Sequence, residues 1–284
     1  MTEGVATGLD HVGVCTRDGP ALWARWEALG FALTPLARHS APAVPGGPAV
    51  PMATGNRCAM LRQGYLELLA ILDPSLPDNG MGQRLDRYEG MHILALAIAD
   101  AGANLARLRA AGLDIPGVSH LERPVDAPDG PRAAFSRLPL PDAPEGRIQL
   151  IQHLTPELLW QPRWLEHPNN AVALETVVLA SEAPAESAAR LSRLAGLPLE
   201  PDPAGGYALP LRHGRVRILP PASLEAVLPG VVPPSLPFLA GIVVRTGDGN
   251  AAARRLLAGV AADGPLGLTV PPDRAGGVAL AFAA

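Results

Sequence analysis

Four polar side chains stand inside apolar, strand-like runs, and their types are those that hold metals or move protons. Glu67 lies in Gly64-Tyr65-Leu66-Glu67-Leu68-Leu69-Ala70-Ile71-Leu72, His11 in the run Leu9 to Thr16, His92 in the run Met91 to Asp100, and Gln149 in Arg147-Ile148-Gln149-Leu150-Ile151. A strand's period of two gives Leu66, Leu68, Ala70 and Leu72 one face and leaves Glu67 on the other with Tyr65, Leu69 and Ile71. A carboxylate buried there is so costly that it must shift its pKa, pair with a cation or bind a metal. His, Glu, His and Gln supply the nitrogen and oxygen donors that suit Zn²⁺, Ni²⁺, Co²⁺, Fe²⁺ or Mn²⁺. An ion with an open position would polarise a carbonyl or enediolate oxygen, or acidify a bound water. Glu67 would then loosen from the ion and serve as base. The competing readings are an apo binding cavity and a purely structural polar network, since a lone strand histidine in a core is more often a hydrogen-bonded structural residue.

The elements that position these residues repeat. A strand at 9–16 leads to a helix at 20–29 with Asp18 as N-cap, a proline in its first turn and Gly30 as its stop. Strands follow near 31–38, 56–62 and 64–72, a β-α-β-β-β order. The same order recurs from Met91, from Ala171 and from Leu239, and the four Ala/Arg/Leu helices end at Gly30, Gly112, Gly196 and Gly259. His11 and His92 fall in equivalent first strands, and Glu67 and Gln149 in equivalent last strands, at intervals along the chain that agree to within one position. A pseudo-twofold packing of the first two modules would bring the two pairs together.

The 284 residues, 48% hydrophobic and with a net charge of −4, suit a globular chain of one or two domains and give no electrostatic reason for nucleic acid or an anionic membrane as partner. The first residues lack a basic segment followed by an apolar one, and no run of about 18 apolar residues appears. A cytoplasmic protein is expected. Cys15 and Cys58 lie in strand-like runs without metal-motif spacing and read as small buried hydrophobes. The 32 prolines and 30 glycines fall between the periodic segments, which suggests stiff turns, with residues 41–53 read as a mobile loop.

Leu9-Asp10-His11-Val12-Gly13-Val14, Gly64-Tyr65-Leu66-Glu67-Leu68, Met91-His92-Ile93 and Arg147-Ile148-Gln149-Leu150 together resemble the vicinal oxygen chelate superfamily, nearest to its glyoxalase-like branch. The resemblance implies an α+β fold of four βαβββ modules in two pairs forming curved mixed sheets, as in glyoxalases, bleomycin-resistance proteins and extradiol dioxygenases. It implies a first pair at 1–155, a linker at 156–170 and a second pair at 171–284. In glyoxalase I-like members the metal ligands come from the first and last strands of two modules, which carries onto His11, Glu67, His92 and Gln149. Gln149 stands where the family usually has glutamate, so it would bind weakly or leave a 2-His-1-carboxylate set. The corresponding places of the second half hold Glu175, a residue near Arg217, Gly241 or Ile242, and Ala279 or Ala281, which is no metal set.

The function so implied is metal-dependent proton transfer, of isomerase or lyase type, on a small oxygenated molecule that chelates the ion, with no organic cofactor. Glu67 would be the catalytic base. The alternatives are a binding or resistance protein that does not turn its ligand over, and a non-haem Fe(II) dioxygenase. Partners would be the substrate and, as monomer or homodimer, this chain itself. Further candidates for substrate contact are Arg38 and Asn56 beside the site, and Trp160 and His167 in the junction Trp160–Asn170, which also reads as interdomain glue. His153 shares the strand face of Gln149 but lies about 13 Å along it, too far to share a metal and suited to a general acid at the far end of a substrate.

Overall fold

The computed structural model describes residues 4–42, 47–125, 129–141 and 143–284. Module one consists of β1 (Ala6–Thr16), α1 (Gly19–Ala28), β2 (Ala37–Pro42), β3 (Ala49–Met60) and β4 (Tyr65–Ile71). After α2 (Met81–Arg87), module two repeats the order as β5 (Gly90–Ile98), α3 (Ala101–Ala110), β6 (Ser119–Pro124), β7 (Arg132–Leu138) and β8 (Arg147–His153). Module three is β9 (Ala171–Ala180), α4 (Pro184–Ala195), β10 (Glu200–Pro201), β11 (Tyr207–Pro210) and β12 (Arg215–Leu219). Following α5 (Leu224–Val227), module four is β13 (Phe238–Thr246), α6 (Ala251–Leu256), β14 (Ala262–Gly264), β15 (Gly267–Val270) and β16 (Ala279–Ala283).

In each module the last strand runs parallel to the first, as β1 with β4 and β5 with β8. The two first strands of a pair lie antiparallel at its centre, β1 beside β5 and β9 beside β13. This is the four-module, two-pair arrangement implied by the sequence, an open and curved mixed sheet with few helices. One residue pair between β13 and β5, Leu239 with Met91, makes the sheet continuous between the two halves. The large apolar side chains Trp26, Phe282, Leu66, Leu94 and Leu96 are fully buried between the sheet and its helices, so one face of the strands is committed to the core.

The local signals hold at the helix ends. Asp18 caps α1 by accepting the Ala21 N–H at 3.1 Å, and Asp100 caps α3 through Ala103 N–H at 2.8 Å. Gly196 closes α4 at φ 73°, a left-handed conformation that costs a side-chain-bearing residue about 1 kcal/mol or more. Two boundaries differ from expectation. The first cross strand begins at Ala37, because residues 31–36 are spent returning from α1 and tucking Phe31 and Leu33 into the core. The stretch expected as a loop at 41–53 is largely strand, with β3 starting at Ala49; residues 43–46 lie outside the described residues. Cys15 and Cys58 are free and buried.

Candidate active site

The curved sheet of the first pair encloses a cavity of about 230 Å³. His11 from β1, Tyr65, Glu67 and Leu69 from β4, Ile93 from β5, and Gln149, Ile151 and His153 from β8 line it. Glu67 is 8% exposed and His11 5%, so both polar groups are nearly removed from bulk water. Glu67 Oε1 accepts a hydrogen bond from Asn56 Nδ2 at 2.5 Å, and Oε2 lies 3.9 Å from His11 Nε2. Asn56 therefore lines the cavity as expected, and its amide orients the carboxylate.

Behind His11 stands a residue that sequence reasoning passed over. Asp10 is 3% exposed, and its Oδ1 lies 2.6 Å from His11 Nδ1 while its Oδ2 lies 3.0 Å from His153 Nε2. Burial pushes the Asp10 carboxyl up, but the hydrogen bonds from the two imidazoles prevail and hold it at about 2. An ionised carboxylate only accepts, so His11 donates from Nδ1 and His153 from Nε2. The other nitrogen of each ring, His11 Nε2 towards Glu67 and the buried, unpartnered His153 Nδ1, carries its lone pair whenever the ring is neutral. His153, expected as a remote group, is thus tied to His11 through one shared carboxylate. Tyr65 stacks on His11 with ring centroids 4.5 Å apart, and Trp160 sets its edge against His153 at 4.8 Å. Trp160 supports the wall from behind.

His92 does not join this group. Its Nε2 donates to the Tyr88 carbonyl at 2.7 Å, its ring stacks on Tyr88 at 4.1 Å, and it is absent from the cavity wall. The reason is register. Gly13 pairs with Glu67 and Ala95 with Gln149, while His11 pairs with Ala95 and Gly13 with Ile93. All of these relations repeat at one constant offset, the interval from Glu67 to Gln149, and that offset matches His11 to Ile93 and Asp10 to His92. The interval between the two histidines falls one position short of it, and in a strand one position redirects the side chain. A Cβ built on Gly13 would lie 2.8 Å from the Ile93 side chain, so an apolar group reaches over the residue paired with Glu67. The His11, Glu67, His92, Gln149 quartet expected from sequence therefore does not fit a metal here, and neither does a 2-His-1-carboxylate set. Among the described residues no three His, Cys, Asp or Glu side chains are grouped to hold an ion.

The same slip affects the second pair. Thr176, Arg217, Gly241 and Ala281 take the places of His11, Glu67, Ile93 and Gln149, so Thr176 stands where Glu175 was expected. Arg217 is bound by both oxygens of Asp202 at 2.7 Å, a closed ion pair in the place of Glu67.

Arg38 lines the cavity, joined by Arg123, Arg137 and Arg147, which sequence reasoning missed. A second hollow of about 350 Å³ adjoins it, sharing Arg38, Arg123, Pro124 and Leu159. His167 lies elsewhere: its Nδ1 accepts the Ala32 N–H at 3.0 Å and its Nε2 donates to the Met60 carbonyl at 2.8 Å. With both ring nitrogens in hydrogen bonds, His167 ties the junction to module one, and it is not among the residues that line the cavity.

Three comparisons agree with this architecture. A hypothetical protein from Staphylococcus aureus superposes with a TM-score of 0.62 at 12% identity, covering 97% of this chain and 98% of that one. The Mn(II)-bound glyoxalase from Novosphingobium aromaticivorans gives 0.53 at 14% identity, with 98% and 82% covered. Homoprotocatechuate 2,3-dioxygenase from Arthrobacter globiformis gives 0.52 at 12% identity, with 100% and 81% covered. At these identities the likeness shows the fold alone, one shared with a glyoxalase and an extradiol dioxygenase. No curated protein matches in sequence. The model of the glyoxalase-like domain matches residues 9–195, more than half of the chain, and the chain therefore belongs to the glyoxalase-like domain family.

Proposed function

We propose that the cavity of the first module pair is an acid–base site that moves a proton on a small oxygenated molecule, in isomerase or lyase fashion. The observation that carries this reading is the line Asp10, His11, Glu67, Asn56, in which two proton-accepting atoms, His11 Nε2 and Glu67 Oε2, face one another at 3.9 Å beside a small cavity. Asp10 fixes the tautomer of His11 and stabilises its ring when protonated, the role a buried carboxylate plays behind a catalytic imidazole. Asn56 fixes the carboxylate. A substrate carbon beside a carbonyl, set over the pair, loses its proton to one of the two atoms. The same proton returned at the neighbouring carbon gives an isomer, and loss of a leaving group in its stead gives an elimination. Positioned proton transfer of this kind accelerates a reaction by about 10²–10⁴-fold.

The hydrogen bond from His11 Nδ1 to Asp10 also favours a second reading, because metal-ligating imidazoles are oriented by such a carboxylate. Under it His11 Nε2, Glu67 and the Gln149 amide oxygen would hold a divalent ion that polarises a substrate oxygen. One experiment separates the two readings. Incorporation of solvent deuterium into a panel of α-hydroxy and α-oxo carbonyl compounds is followed with protein whose metal content has been measured. Exchange that survives chelation and is lost in His11→Ala and Glu67→Gln supports the proton-transfer site. Exchange that follows stoichiometric metal supports the second reading. Unaltered exchange in both variants, or none with the wild type, sinks both.

A further inference from the structure

The two repeats use one position in opposite ways. In module one Asn56, opposite Leu69 in the β3–β4 ladder, holds Glu67. In module two the same register, opposite Ile151, carries Arg137, and the counterpart of Glu67 is the neutral Gln149. Module two thus replaces the amide donor by a guanidinium while removing the carboxylate that would receive it. Arg137 Nε is buried without a hydrogen-bond partner, and burial lowers the pKa of the group.

The carboxylates of the cavity wall are already engaged. Glu67 is held by Asn56, Asp78 accepts the N–H groups of Gly80 and Gly82, and Glu122 pairs with Arg132 at 3.0 Å. Arg38 and Arg123 line the same cavity, and the side chain of neither makes a hydrogen bond or ion pair among the described residues. Arg38 is exposed and Arg123 half-buried, so the cost of a desolvated cation without a counter-ion falls on Arg137, and arginine is the side chain whose planar fork matches the two oxygens of a carboxylate or phosphate.

We infer that the molecule bound in this cavity carries an oxyanion, which Arg137 receives, with Arg38 and Arg123 adding positive charge. The anion lies against the module-two half and the reacting carbon against His11 and Glu67 in the module-one half. This inference rests on the proton-transfer reading only in calling that molecule a substrate.

Calorimetric titration of the full chain with phenylacetate, phenyl phosphate and the neutral phenylacetamide tests it, using the wild type, R137Q, R137K and E67Q. The wild type should bind at least one anion and not the amide, and which anion binds separates carboxylate from phosphate. R137Q should weaken anion binding by about ten- to hundredfold, and R137K should recover part of the loss. E67Q should bind the anion at least as well as the wild type. Should R137Q fail to fold, salt dependence of the wild type serves: added sodium chloride should weaken anion binding several-fold, and anion binding indifferent to salt overturns the inference. Equal binding of anion and amide, unaltered affinity in a folded R137Q, or no saturable binding of either anion overturns the inference. Arg137-dependent binding without deuterium exchange leaves it standing and removes the proton-transfer reading; exchange without Arg137-dependent binding does the reverse.

Discussion

Asp10 and His92 occupy equivalent bulged positions in the two antiparallel first strands β1 and β5. Leu9 faces Leu96 and His11 faces Ala95, so Asp10 is the extra residue of β1; Gly13 faces Ile93 and Val14 faces Met91, so His92 is the extra residue of β5. A bulge re-aims the side chains around it. In β1 this lets adjacent Asp10 and His11 meet, and in β5 it leaves His92 against Tyr88 with Ile93 facing the cavity.

Ile93→His places a second imidazole at the register of His11. The variant should bind Zn²⁺ or Ni²⁺ about tenfold or more tightly than the wild type, while His92→Ala leaves ion affinity unchanged. Titration against a competing chelator measures both, and tighter binding lost in His92→Ala would show that His92 is the ligand.

Asp10→Asn removes the acceptor shared by His11 and His153 and allows an amide N–H to face an imidazole nitrogen. Deuterium exchange should fall by about 10²–10⁴-fold with the fold retained, since the wrong tautomer of His11 is then favoured. Far-ultraviolet circular dichroism beside the exchange rate separates this from unfolding, and a rate within about threefold of the wild type would count against the role of Asp10.

Acid should weaken the fold through His92. Burial pushes its imidazole down to about 4 although the Tyr88 carbonyl favours the protonated ring, and its ordinary value is 6.5. The folded pKa lies below the unfolded one, so the unfolded chain binds more protons between them. The contribution is whole above pH 6.5 and is lost as pH falls towards 4, a span worth about 3 kcal/mol. Urea unfolding from pH 7 to 4.5 should show a shallower decline in His92→Leu than in the wild type; parallel declines would contradict it.

His167→Ala leaves the Ala32 N–H and the Met60 carbonyl without their partner. About 1–3 kcal/mol of stability should be lost and phenylacetate binding should stay within about twofold, measured by denaturation and calorimetry. A variant as stable as the wild type with lost binding would return His167 to the site.

The βαβββ repeat, its glycine stops and the burial of Glu67 are legible in the sequence because each is local: a periodicity, a cap, a charge in an apolar run. Asn56 and Arg38 were within reach as strand residues next to that charge. His92 was misplaced because a single position along β5 separates facing the cavity from facing away, and sequence likeness aligns histidine with histidine. The sharper signal was available in the N-caps, since the interval from Asp18 to Asp100 equals that from Glu67 to Gln149 and thereby matches His11 to Ile93. Asp10 was beyond reach, because only the bulge brings two adjacent strand residues together. Arg137 is an unremarkable arginine until its register with Ile151 is known.

A duplicated scaffold by itself presents the same surface twice, and a ligand entering a twofold cavity would have no reason to prefer one end. Here the repeat is broken at His11 against Ile93, Glu67 against Gln149 and Asn56 against Arg137. Those three mismatches give the cavity a polarity, with proton acceptors on one side and a cation on the other. On the anion reading proposed above, an asymmetric molecule would be read in one direction only, the side it presents to His11 being decided by the arginine at the opposite end.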